Sequence, residues 1–172
     1  MEHERYDDEM IRETLLSVKT IAMVGASNNV VRPSYFVLKY LLSRGFRMIA
    51  INPGLAWGAI LGAPVYARLA DVPEPIDMVD IFRNSEAAGG VVDEALALSP
   101  LPKAIWMQLA VRNDEAAARA EAAGLRVIMN RCPKIEYGRL SGEIGWTGVN
   151  SGLISSKRPQ GGGLQRRGIG RR

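Results

Sequence analysis

Five short apolar runs recur along the chain, and segments with helical periodicity separate them. The runs cover residues 20–25, 47–51, 78–82, 104–107 and 126–129. Strands that are apolar on both faces are typical of a parallel sheet buried between two layers of helices. The sequence therefore predicts an α/β, Rossmann-like, doubly wound fold with a mostly parallel five-stranded sheet and helices on both faces.

Apolar residues at helical spacing predict helices at residues 10–18, from Pro33 up to Gly45, at 85–98 and at 114–123. A proline suits the first turn of a helix, and a glycine readily ends one. Right-handed crossovers favour the strand order 3-2-1-4-5 for the five runs. In such a sheet, ligands bind outside the carboxyl ends of the strands, where the winding reverses.

The composition predicts one domain and a tail. A chain of 172 residues that is 47% hydrophobic can bury one substantial core, which we assign to residues 1–154. The last 18 positions, 155–172, hold six Lys or Arg residues and no acid, so 16 basic residues face 18 acidic ones in the remainder. This Gly- and Arg-rich tail is predicted to be disordered. It could be solvated without a partner, or it could contact nucleic acid weakly and non-specifically.

Several classes of protein are disfavoured. No stretch is long and apolar enough for a membrane span, and the amino terminus is acidic rather than a basic and apolar export signal. One cysteine and one histidine provide neither an internal disulfide nor the Cys/His cage of a zinc site. We therefore expect a cytoplasmic protein without a structural metal.

The first run leads into a loop of small and polar residues, 25–34, that opens onto a predicted helix. Backbone N–H groups at a helix start attract anions, and Ser27, Ser34 and Arg32 could add donors or charge. The same loop is compatible with a tight turn whose polar residues cap the helix. It lacks the later glycines of G-x-G-x-x-G, and the second run ends in Asn52-Pro53 rather than in an acid, which disfavours NAD. A P-loop sequence is absent.

A series of motifs carries a family resemblance: GAS and RPS, then INP, ILGAPVYARLADVP, DMVDIFR, WMQLAV and NRCPKIEYG. Over residues 10–140 the chain resembles small stand-alone CoA-binding proteins, which are similar to the amino-terminal CoA-binding domain of the succinyl-CoA synthetase alpha subunit. The resemblance implies coenzyme A as the cofactor. It implies a binding site formed by Gly25, Ala26, Ser27, Arg32, Asn52, Pro53, Ile81, Phe82, Arg83 and Gln108.

The chemistry of these residues suits coenzyme A, since Phe82 offers an apolar face to adenine and Arg83 and Arg32 offer charge to phosphates. Core packing for Phe82 and a surface ion pair for Arg83 remain alternatives. The stretch after Pro53 lacks the lysine that the synthetase subunit places near the CoA 3′-phosphate. Discrimination between CoA and dephospho-CoA is therefore left open by the sequence.

A complete reaction within this chain is not expected. Its single histidine, His3, lies in an amino-terminal segment that we expect to be flexible. We therefore expect neither phosphohistidine chemistry nor a Ser-His-acid arrangement from this residue. Cys132 is either an inert packing residue or a thiol whose pKa is lowered by Arg131 and Lys134, which would allow exchange with a thiol cofactor.

Three functions follow as hypotheses. The first is a non-catalytic module that binds CoA or an acyl-CoA as a carrier, sensor or subunit, with a partner protein supplying the chemistry. The second is a thiol-exchange or acyl-transfer enzyme that uses Cys132. The third is an RNA-associated module that acts through the basic tail.

Overall fold

The structure, a computed structural model, describes residues 3–144. The helices are α1 (Asp8–Ser17), α2 (Pro33–Ser43), α3 (Ser85–Leu96), α4 (Asp114–Ala122) and α5 (Pro133–Ile144). The strands are β1 (Thr20–Val24), β2 (Arg47–Ile51), β3 (Ala59–Ile60), β4 (Ala63–Tyr66), β5 (Met78–Ile81), β6 (Ala104–Met107) and β7 (Arg126–Ile128). Two 3₁₀ turns, Pro53–Leu55 and Leu69–Asp71, follow β2 and β4.

Three of the helices begin where a side chain accepts a hydrogen bond from the first turn. Asp7, Asn84 and Asn113 accept from the backbone N–H groups of Glu9, Ala87 and Ala116. Such caps satisfy donors that have no partner within the helix. The helices predicted at 85–98 and 114–123 are thus present with ends shifted by one or two residues, whereas α5 was not predicted.

The described residues form one sheet in the order β3-β4-β2-β1-β5-β6-β7. All neighbouring pairs are parallel except β3 with β4, which form an antiparallel hairpin. The α/β doubly wound architecture is confirmed. The count of five strands is wrong, because the sequence analysis did not recognise the β3–β4 hairpin.

The predicted strand order also needs correction. It placed the run at 78–82 beside the run at 47–51, but that run forms β5 and pairs with β1, where Met23 aligns with Asp80. The position beside β2 is taken by β4, where Ile51 aligns with Tyr66. When β4 is counted as the third parallel strand, the six parallel strands follow the order 3-2-1-4-5-6 that is typical of Rossmann folds.

The sheet separates two apolar cores. One core lies against α1, α2 and α5 and contains Met23, Leu38 and Trp106, all of them completely or almost completely buried. The other lies against α3 and α4 and contains Val79, Ile105 and Ala117. Because both faces are covered, the carboxyl edge of the sheet is the place where backbone and polar groups remain accessible.

The amino-terminal segment is held in place from His3 onward, which corrects the expectation that this histidine lies in a flexible segment. Its side chain is only 5% exposed, with Nε2 3.5 Å from a Glu121 carboxylate oxygen, and its Nδ1 lies 2.9 Å from the Tyr6 hydroxyl. That hydroxyl also accepts a hydrogen bond from the Met129 N–H, which follows β7. The segment is therefore anchored to the far edge of the sheet.

Among residues 3–144, no helix combines the length and the apolar character that a membrane crossing requires. The tail at 155–172 and the domain boundary at 154 lie outside the described residues, so the prediction of a disordered tail remains a prediction.

Candidate functional site

A cleft of about 320 Å³ lies at the carboxyl ends of β1, β2, β4 and β5. This is the edge that the parallel topology predicts for a ligand. Four of the residues singled out from the sequence line it, namely Gly25, Asn52, Pro53 and Arg83. The other lining residues are Val24, Ile51, Ala67, Arg68, Ala87, Gly90, Val91 and Glu94.

Gly25 makes the close approach of two loops possible. Its φ is +87°, and a Cβ at this position would lie 2.4 Å from the Phe82 carbonyl oxygen. The Phe82 N–H donates to the Val24 carbonyl, while the Gly25 N–H donates to the Ile51 carbonyl. A side chain at position 25 would therefore push apart the ends of β1 and β5, which form the floor of the cleft.

The loop after Gly25 is organised by its own polar side chains. The Ser27 hydroxyl accepts from the Asn29 N–H at 3.1 Å, and the Asn29 side chain accepts from the Val31 N–H at 3.1 Å. Ala26 is buried. Ser27 thus contributes to the loop's internal structure as well as offering a hydroxyl group. The hydrogen bonds of Ser27 and Asn29 lie within the loop and do not cap α2, so the structure shows a polar turn without the helix cap.

Arg32 ends this loop and precedes the first residue of α2, Pro33. It is exposed, and no side chain caps the start of this helix. Within residues 3–144, the Arg32 guanidinium has no hydrogen bond or ion pair. A free cation beside an uncapped helix start is a favourable location for a phosphate.

Asn52 connects two of the strand ends. Its amide nitrogen donates to the Ala26 carbonyl at 2.8 Å, and its amide oxygen accepts from the Gly54 N–H at 2.9 Å. The side chain therefore fixes the loop after β1 against the turn after β2. Its direct effect is to shape the cleft, and Pro53 begins the turn that forms the rim.

The three residues of the Ile81-Phe82-Arg83 motif have different environments. Ile81 is completely buried in the core beneath α3, so only its backbone could face a ligand. Phe82 is half-buried and packs against the other core. Arg83 is exposed, lines the cleft and has no ion pair within the described residues. The alternative of a surface ion pair for Arg83 is not what the structure shows.

Gln108 is buried and bonded to a carboxyl group rather than open at the rim. Its amide nitrogen donates to the two Asp80 carboxylate oxygens at 2.9 and 3.2 Å. Burial raises the pKa of Asp80 to about 7, although the bond from Gln108 acts in the opposite direction. This pair holds the ends of β5 and β6 together beneath the loops.

Cys132 is also buried, and its surroundings favour the packing alternative over a thiolate. Burial raises the pKa of the thiol, and the nearby Asp80 carboxyl acts in the same direction. The side chain is only 6% exposed. Arg131 lies over the Tyr6 ring and Lys134 lies over the Tyr40 ring. Lys134 lowers the pKa of the thiol, but burial, the largest cause, outweighs it. These observations favour the packing role.

Sequence reasoning missed one wall of the cleft. Ala87, Gly90, Val91 and Glu94 form one face of α3, and the small residues leave the cleft open. Their i, i+3, i+4, i+7 spacing was available as a signal. Arg68 was missed because it follows β4, a strand that the sequence analysis did not identify.

Comparison with known proteins identifies relatives over most of the described range. A family model described as a CoA binding domain matches residues 19–138. The protein YneT of Bacillus subtilis (strain 168) is 34% identical over 127 residues, which are 74% of this chain and 91% of that protein.

Solved structures agree in fold. A hypothetical protein from Pyrococcus horikoshii OT3 is 36% identical with a TM-score of 0.75, and the match covers 83% of this chain and all of that one. A dinucleotide-forming acetyl-coenzyme A synthetase from Ca. Korarchaeum cryptofilum, solved with phosphate and ADP, is 27% identical with a TM-score of 0.58. That match covers 69% of this chain but only 27% of the synthetase.

Proposed function

The chain belongs to the family of CoA binding domains, and on that premise we propose that it binds coenzyme A or an acyl-CoA at the carboxyl edge of its sheet. The observation that carries the proposal is the cleft lined by Gly25, Asn52 and Arg83. The loop that begins at Gly25, the Asn52 side-chain amide and the unpaired Arg83 guanidinium meet there. Rossmann-type sheets bind nucleotides at this location.

The residues around the cleft suit the chemistry of the proposed ligand. Coenzyme A carries several phosphate charges, and Arg32 and Arg83 are exposed cations without partners among residues 3–144. Arginine's planar fork matches phosphate oxygens well. The loop after β1 and the uncapped start of α2 would face the diphosphate, while the cleft would receive the nucleotide end.

The module binds its ligand and leaves the chemistry to a partner. Cys132 is buried with a raised thiol pKa, and Asp80 is engaged by Gln108. His3 contacts Tyr6 and Glu121. None of these groups is presented at the cleft as a nucleophile or base. A carrier, sensor or subunit role fits this arrangement, and the match to one part of a larger synthetase supports a partner that supplies catalysis.

Native mass spectrometry tests this proposal. Ligand-free protein is incubated with equimolar CoA and NAD and then sprayed from volatile buffer. We expect one added mass equal to that of CoA, because β2 is followed by Asn52 rather than by the acid that holds the ribose of NAD. A NAD adduct in place of the CoA adduct, or no adduct at all, would contradict the proposal.

A further inference from the structure

The cleft contains a second arginine, Arg68, which lies within the motif ILGAPVYARLADVP but is not among the site residues that the resemblance implies. It follows β4, whereas Arg83 follows β5, and both line the same cleft. Because β2 and β1 lie between those two strands, the arginines enter the cleft from opposite sides. Among the described residues that line this cleft, two are cations and one, Glu94, is an acid whose charge also acts on Arg68. The excess of cations in the lining suits an anionic group.

Asp71 holds the Arg68 guanidinium by one edge. Nη2 donates to one Asp71 carboxylate oxygen at 3.0 Å, and Nε donates to the other at 3.4 Å. This hydrogen-bonded pairing raises the pKa of Arg68. The Arg68 side chain is 69% exposed, and Nη1 has no hydrogen bond to the described residues. The Nε and Nη2 edge of the guanidinium is therefore fixed by Asp71, and Nη1 is free to bind a ligand.

The wall opposite Arg68 leaves space for such a ligand. Ala87 and Gly90 line the cleft from α3, and a Cβ placed on Gly90 would find no atom within 4 Å. A compact phosphate group can therefore lie between the turn after β4 and the face of α3. A phosphomonoester carries about −1.5 to −2 charges at neutral pH and three acceptor oxygens, which a guanidinium fork matches well.

We propose that Arg68 makes the cleft select an adenine nucleotide with a phosphomonoester on its ribose. CoA, which carries a 3′-phosphate, is therefore preferred over dephospho-CoA. Asp71 is the positioning residue that orients the guanidinium. The inference rests on the proposed function, and it adds the residue that determines specificity within that site. It also accounts for phosphate recognition in a chain whose turn after β2, Pro53–Leu55, supplies no cation.

Calorimetric titration of the full chain with CoA and with dephospho-CoA tests this inference. We expect wild type to bind CoA at least about tenfold more tightly, the scale of a hydrogen bond between charged groups. Arg68→Ala should bring the two dissociation constants within about threefold by weakening CoA alone, because dephospho-CoA lacks the group that Arg68 binds. Arg68→Lys should retain part of the preference, since it keeps the charge but loses the fork.

Arg47→Ala is the matched control. Arg47 is likewise an exposed arginine paired with an acid, Glu74, at 2.8 Å, but it lies at the opposite end of β2. It should leave both affinities and their ratio unchanged. Thermal unfolding of each variant checks that it is folded.

Two results would overturn the inference while the proposed function stands: wild type that binds both ligands equally, or Arg68→Ala that keeps the wild-type ratio. Wild type that binds neither ligand would overturn both.

Discussion

At the scale of single residues, the site depends on side chains that hold strand ends together as much as on those that face the cleft. Asn52 links the loop after β1 to the turn after β2, and Gln108 links β6 to the Asp80 carboxyl on β5. Sequence reasoning selected both residues as ligand contacts. It could not distinguish a residue that contacts the ligand from one that holds strand ends together. The position of a residue in a motif reveals where it lies, but not the direction in which its side-chain amide points.

Gly25 is the residue whose replacement should disturb the site most. We expect Gly25→Ala to lower the free energy of unfolding by about 1 to 3 kcal/mol more than Gly45→Ala. Both glycines have a φ near +88°, but a Cβ at Gly25 meets the Phe82 carbonyl, whereas one at Gly45 meets nothing within 4 Å. Urea unfolding of the two variants and wild type measures the difference. Equal losses would show that the close approach at Gly25 is not a constraint.

Asp80 should make stability depend on pH. Burial raises its pKa in the folded state to about 7, whereas in the unfolded chain it should titrate near 4. Between about pH 4 and pH 7, Asp80 is therefore protonated in the folded state and ionised in the unfolded state. Its contribution to the free energy of unfolding is complete below about pH 4 and is lost as the pH rises through 7.

Asp80→Asn should remove this contribution. The free energy of unfolding of wild type should fall relative to Asp80→Asn between pH 5 and pH 7, by up to about 1.4 kcal/mol per pH unit. The two should run parallel above pH 8. Chemical unfolding at several pH values gives both curves, and parallel curves across the whole range would refute a proton on Asp80.

At the scale of elements, the long periodic segments were predictable and the short ones were not. Strands β1, β2, β5, β6 and β7 are apolar runs buried on both faces, and that pattern is visible in sequence. Strand β4 reads Ala-Pro-Val-Tyr beside Gly62, and β3 has two residues. Proline and glycine interrupt a strand pattern, so the sequence analysis did not recognise this hairpin, and the predicted strand order was wrong.

The amino-terminal segment was misjudged for a related reason, since its polar composition gives no sign of anchoring. We expect Tyr6→Phe to cost about 1 to 3 kcal/mol of unfolding free energy, because it removes the hydroxyl that accepts from the Met129 N–H at 2.7 Å. Tyr35→Phe is the control, because Tyr35 is half-buried and its hydroxyl makes no hydrogen bond with the described residues. A Tyr6→Phe variant as stable as Tyr35→Phe would contradict the anchoring.

At the scale of the whole molecule, helices cover both faces of the sheet and leave its carboxyl edge accessible. The sequence was sufficient to place the loop after β1 and Arg83 at this edge, because parallel topology brings consecutive strand ends together. It was not sufficient to find Arg68, since that residue follows a strand that was not recognised. The α3 wall likewise required knowledge of which helix face turns toward the cleft.

The central claim is that this edge binds coenzyme A through Arg32 and Arg83, and calorimetric titration at fixed salt tests it most directly. Wild type, Arg32→Ala and Arg83→Ala are each titrated with CoA and with NAD, and their unfolding midpoints are measured alongside. We expect wild type to prefer CoA, and each substitution to weaken CoA binding by about 1.5 to 3 kcal/mol without loss of fold. NAD binding as tight as that of CoA, or folded arginine variants with undiminished affinity for CoA, would contradict the account.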